Sequence, residues 1–102
     1  MNIMGYKRTV EERQSAVERL KLNKEKCNQY NFFGEDNHQH LDIMIDVIEN
    51  ERLDDWIYET YPSCNKLGEE DTKEHAKWVA ATNARDYLKG EVELKYLLYP
   101  EY

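Results

Sequence analysis

The chain has 102 residues, with 14 Lys and Arg against 21 Asp and Glu, and a formal charge of −7. That length fits one domain spanning residues 1–102 and leaves no room for a second independent core. The acidic balance argues against nucleic acid or an anionic membrane as partner, and no apolar run approaches the roughly 18 residues of a membrane span.

Four glycines and two prolines fall between periodic segments and divide the chain into four predicted helices and a short tail. The expected fold is therefore all-α: a small bundle of about four helices with an extended or irregular C-terminal segment. The first helix is predicted to begin at Thr9, because Thr9 and Glu12 have capping-box spacing. Val10, Val17, Leu20 and Cys27 give it a narrow apolar stripe between charged faces. A stripe so thin predicts a helix on the domain surface, or one completed by a partner chain.

Asn28 to Gly34 reads as a loop, with Tyr30, Phe32 and Phe33 expected to tuck beneath the next helix. Asp36 or Asn37 can cap that helix. Leu41, Met44, Ile45 and Ile48 follow the i, i+3, i+4, i+7 pattern, widened by Ile43 and Val47, and predict the centre of the core. Asp42, Asp46 and Glu49 share its opposite face.

Leu53 to Tyr61 predicts a short third helix ending at Pro62, with Asp54 and Asp55 at its positive end. Trp56 and Ile57 are expected in the core and Tyr58 at the surface. A fourth helix is predicted from Asp71, with Glu74 at capping-box spacing, to near Gly90. Ala76, Val79, Ala80, Ala84, Tyr87 and Leu88 form its expected buried stripe. Val92, Leu94 and Tyr96 then alternate as in a strand, which must either pack irregularly or pair with another molecule.

Cys27 and Cys64 could form one disulfide, but nothing marks an oxidising compartment. Free thiols are expected. Met1 to Arg8 lacks the apolar stretch of a secretory signal, so the expected location is cytoplasmic.

Few constellations carry chemistry. His38 and Asp42 are one helical turn apart and could share a divalent metal, with Asp46 extending the set. The plainer reading is a capped helix start whose His and Asp face water or each other. Cys27, His38, His40 and Cys64 match no zinc spacing, and no cofactor is expected. Glu51 and Asp54 form an E-x-x-D pair without the E-x-x-E partner that a magnesium-dependent pyrophosphohydrolase needs. No nucleophile has a readable base and orienting acid, so the chain is not expected to be an enzyme.

Charge is unevenly placed. Residues 1–34 hold 7 basic and 4 acidic groups, residues 35–71 hold 2 and 12, and residues 72–102 hold 5 of each. Such blocks can steer a charged partner. The leading expectation is an acidic protein-interaction module whose face of Asp42, Asp46, Glu49, Asp54, Asp55 and Tyr58 engages a protein with a basic surface. A homo-oligomeric scaffold, such as a homodimer, is the alternative that the thin first stripe and unpaired tail favour. A metal-dependent enzyme using His38, Asp42 and Asp46 is the third.

Phe33-Gly34-Glu35-Asp36-Asn37-His38, then Leu41-Asp42, Ile45, Val47-Ile48-Glu49 and Asp55-Trp56-Ile57-Tyr58, make a recognisable pattern. It resembles short proteins of bacteriophages and proteobacterial plasmids, with the form F-G-x-x-N-H-x-x-[IL]-D … V-[IL]-E … D-x-I-Y. The resemblance implies a mobile-element origin and an accessory role, and the leading expectation adds a host protein as the one modulated. It assigns no activity to any residue.

Overall fold

The computed structural model describes residues 6–63 and 72–101. Among them it is all-α, with helices α1 (Val10–Lys26), α2 (Asn37–Asn50), α3 (Asp54–Thr60) and α4 (Thr72–Leu88), then a 3-10 turn at Leu94–Leu97.

The capping box predicted for α1 is present. The Glu12 amide donates to Thr9 Oγ1 at 3.1 Å, and the Thr9 amide donates to Glu12 Oε1 at 3.0 Å. A cap of this type is worth about 1 kcal/mol. Val17, Leu20 and Cys27 are buried as predicted, joined by Ala16. Val10 is not; it stays half exposed at the open edge of the groove between α1 and α2.

The Asp36 side chain caps α2 by accepting from the Gln39 amide at 3.0 Å. Leu41, Ile43, Met44, Val47 and Ile48 are all buried, so the most apolar helix does form the centre of the core. It packs against α1 on one side and α4 on the other. Ile45 is only partly buried.

In α4, the buried residues are Ala80, Ala81, Thr82, Ala84, Tyr87 and Leu88. Ala80, Ala84, Tyr87 and Leu88 are buried as predicted, whereas Ala76 is half buried and Val79 is exposed, both along a cleft beside α2. The alanines bring α4 close to α2, as their small volume allows. Asp71, proposed as the cap, lies outside the described residues, as does Cys64. Gly90 ends the helix with φ +78°, and the Gly90 and Glu91 amides donate back to the Tyr87 and Asp86 carbonyls.

The tail does not form a strand. Leu97 is buried, and Val92, Leu94, Leu98 and Tyr99 pack on the core, so most of its apolar residues are taken up by this chain, while Tyr96 stays exposed. Asn23 explains how. It is fully buried in α1, its Nδ2 donates to the Tyr99 carbonyl at 2.9 Å, and its Oδ1 accepts from the Tyr99 amide at 2.9 Å. Asn23 Nδ2 and Arg19 Nη1 also reach the Glu101 carboxylate at 2.8 and 2.9 Å.

The N-terminal segment closes the other end. Tyr6 is buried with its hydroxyl donating to the Arg52 carbonyl, and the Lys7 amide donates to the Leu88 carbonyl at 2.7 Å. Arg8 lies 4.2 Å over the Tyr87 ring while donating to the Tyr87 and Val92 carbonyls.

Replacing Asn23 with Ala leaves the Tyr99 amide and carbonyl unpaired in a buried place, a loss of about 3 kcal/mol. Urea denaturation measures it, and a loss below about 1 kcal/mol would show that the tail is held by apolar packing alone.

Candidate functional site

The acidic residues singled out in the sequence fall into two groups carried by different helices. Asp42, Asp46 and Glu49 line the solvent face of α2. Lys24 Nζ from α1 lies 2.9 and 3.0 Å from the two Asp42 oxygens. Arg52 grips Asp46 at 3.2 and 3.3 Å, and Asn50 Nδ2 adds a bond of 2.7 Å. Glu49 borders an open groove with Val10, Arg13, Gln14, Val17, Glu18 and Lys21 of α1.

The second group sits on α3 against α4. Asp54 pairs with Arg85 at 3.0 Å and with Lys89 at 3.9 Å. Asp55 is exposed, and Tyr58 is partly exposed with its ring 6.0 Å from that of Trp78. Trp56, half buried, carries the Arg52 guanidinium 4.2 Å above its ring. The six residues therefore make no single face, and three of the five carboxylates are held by cations of the same chain.

His38 and Asp42 border one hollow, together with Lys21, Lys24, Glu25 and Ile45. The Lys24 ammonium stands where a cation bound to Asp42 would stand. Among the described residues, no three of His, Cys, Asp and Glu converge on a point that could hold a metal.

The turn before α2 differs most from expectation. Tyr30, Phe32 and Phe33 do not tuck beneath the helix; they are 60 %, 95 % and 77 % exposed. The backbone itself turns the rings outward. Asn31 Oδ1 accepts from the Phe33 and Glu35 amides at 2.9 and 3.0 Å, and the Gly34 amide donates to the Asn31 carbonyl at 3.0 Å. Gly34 has φ +77°, a conformation that glycine adopts without a Cβ penalty. Asn37 fixes the base of the turn: its amide and Nδ2 donate to the Gln29 and Asn28 carbonyls at 2.7 and 3.1 Å. The Phe32 and Phe33 rings meet edge to face at 5.5 Å. Hydrogen bonds thus hold two phenylalanines in water on an ordered frame.

Beside that turn, α2 and α4 enclose an open cleft of about 390 Å³. Met44, Ala76, Val79 and Ala80 supply its apolar lining, and Asn31, Glu35, His40, Asn83 and Tyr99 are among its polar residues. Buried His40 meets the Tyr99 hydroxyl through Nδ1 at 3.1 Å. Burial pushes the Tyr99 hydroxyl up to about 12, with the Glu35 and Cys27 charges adding to it. Burial also lowers the His40 pKa, with Lys77 in the same direction and Glu35 and Asp36 opposing. The Tyr99 hydroxyl therefore keeps its proton at pH 7, and the His40–Tyr99 contact is a hydrogen bond between two neutral groups.

The sequence reading passed over Asn23 and weighed His40 only as a metal ligand, although each lies on an apolar stripe. Asn23 is three residues after Leu20 and four before Cys27, and His40 is four before Met44. A polar residue in such a register signals a buried hydrogen bond.

Compared with protein-family models, curated proteins and solved structures, the chain matches none.

His40 makes stability depend on pH. Its folded-state pKa lies below the unfolded value near 6.5, so the stabilisation is complete above about pH 6.5 and is lost as pH falls towards the lower folded value. The melting temperature should decline from about pH 6.5 to 5, before the carboxylates titrate. His40→Gln, which cannot ionise, should flatten that part of the profile, and an unchanged decline would assign it to another group.

Proposed function

We propose that this chain is a non-catalytic protein-interaction module that docks through the aromatic turn of Tyr30, Phe32 and Phe33. The observation that carries the reading is the near-complete exposure of Phe32 on a backbone fixed by Asn31. Soluble domains seldom leave adjacent large apolar side chains in water without a use. Burying both rings would contribute about 1.5–3 kcal/mol each. The frame is already ordered, so little further conformational entropy is lost on docking.

The partner that fits is a protein with an apolar pocket rimmed by basic groups. Glu35 and Asp36 follow the aromatic tip directly, and the chain carries a net charge of −7 to steer a basic surface towards it. The resemblance of residues 33–58 to mobile-element proteins supports a host protein in that role, with this chain as its modulator. On this reading, Asp55 and Tyr58 are a secondary contact, and Asp42, Asp46 and Asp54 serve mainly the chain's own folding.

The test is affinity capture from host lysate by the wild type and by Phe32→Ser/Phe33→Ser, at two salt concentrations. The double variant should lose the captured protein while its stability changes by less than about 0.5 kcal/mol, as for other surface substitutions. Equal capture by both proteins would sink the proposal. If the wild type instead dimerises in light scattering and the variant does not, the occupant is a second copy.

A further inference from the structure

The cleft between α2 and α4 has its own chemistry, separate from the aromatic turn. On the α4 side, Ala76, Val79 and Ala80 present one flat apolar strip with no long side chain, and Met44 of α2 faces the same space. A thioether is polarisable and adapts to the face of a ring. The volume, about 390 Å³, lies in the range of small-molecule sites, which combine an apolar lining with a few placed polar groups.

The polar lining selects by charge. Among the described residues, no Lys or Arg lines this cleft, Glu35 is its one carboxylate, and His75 is a second imidazole beside His40. A phosphate or carboxylate ligand would meet a like charge at Glu35. The His40 imidazole is buried, and burial lowers its pKa. What this lining provides is hydrogen-bonding groups: the His40 imidazole, the Tyr99 hydroxyl and the Asn83 amide. Donor and acceptor thus stand together along an apolar slot. A planar heteroaromatic ring with donor and acceptor atoms on one edge matches this set, as a nucleobase does.

We propose that the α2–α4 cleft is a binding site for a neutral planar heteroaromatic molecule of nucleobase or nucleoside type, held by His40, Tyr99 and Asn83 over the strip of Ala76, Val79 and Ala80. The ring lies along the α4 strip at the mouth of the cleft, and its polar edge meets the His40–Tyr99 pair. Glu35 disfavours the phosphorylated forms.

Titration of the whole protein with adenine, adenosine and AMP, followed by NMR, tests the site. Adenine and adenosine should shift the His40 ring and Tyr99 resonances saturably, with AMP binding about tenfold more weakly. Ala76→Leu places a larger side chain in the cleft from a half-buried position and should weaken adenosine at least about tenfold at an unchanged melting temperature. Glu35→Gln should narrow the gap between adenosine and AMP. No saturable shift with adenine or adenosine up to their solubility overturns the proposal, and so does wild-type affinity in Ala76→Leu. If Ala76→Leu is unstable, Asn83→Ala, at an exposed position, replaces it with the same expected weakening.

Discussion

Everything in this fold is arranged around the apolar side of α2. Of the described helices, it alone has a broad apolar face, and Leu41, Ile43, Met44, Val47 and Ile48 need cover from two directions. α1 gives a narrow strip of Ala16, Val17 and Leu20, and α4 gives mainly alanines. Neither could bury much against itself. Their ends must therefore be fastened by polar means, and both are: Arg8 and Lys7 clamp the end of α4, and Asn23 ties α1 to the tail. The buried hydrogen bonds compensate for a core that is thin in apolar volume.

Features decided locally were legible in the sequence. The Thr9–Glu12 box, the Asp36 cap and the stop at Gly90 depend on neighbours a few residues away, and each stands where its spacing placed it. The stripe of α2 was legible because it is wide enough to tolerate error in the register. The stripe of α4 was legible at Ala80, Ala84, Tyr87 and Leu88 but not at Ala76 and Val79, since alanine signals burial weakly and these two lie along a cleft. Hydrophobicity misled at Phe32 and Phe33, where Asn31 and Gly34 fix the direction of the turn against the apolar preference of the rings. The burial of Asn23 and His40 was missed for the opposite reason: residue type pointed outward while register pointed inward.

The block pattern of charge has a different meaning in three dimensions. Lys24 and Arg13 of the basic first segment reach Asp42 and Glu51, and Arg85 and Lys89 of the last reach Asp54. The acidic middle therefore meets cations delivered by the segments on either side of it. Each exposed pair contributes little stability, typically below about 1 kcal/mol. Together they weaken the field around the acidic middle, and this is why the proposed contact is the aromatic turn and not the carboxylates.

The tail joins the fold to the cleft. Tyr99 borders the cleft, yet its backbone is positioned by Asn23 of α1, a helix that contributes no lining residue. His40 in turn meets the tail through the Tyr99 hydroxyl, a second tie beside that of Asn23. The seated tail thus shapes the cleft. A change at Asn23 should alter the cleft without touching it, because what travels between them is the position of one tyrosine.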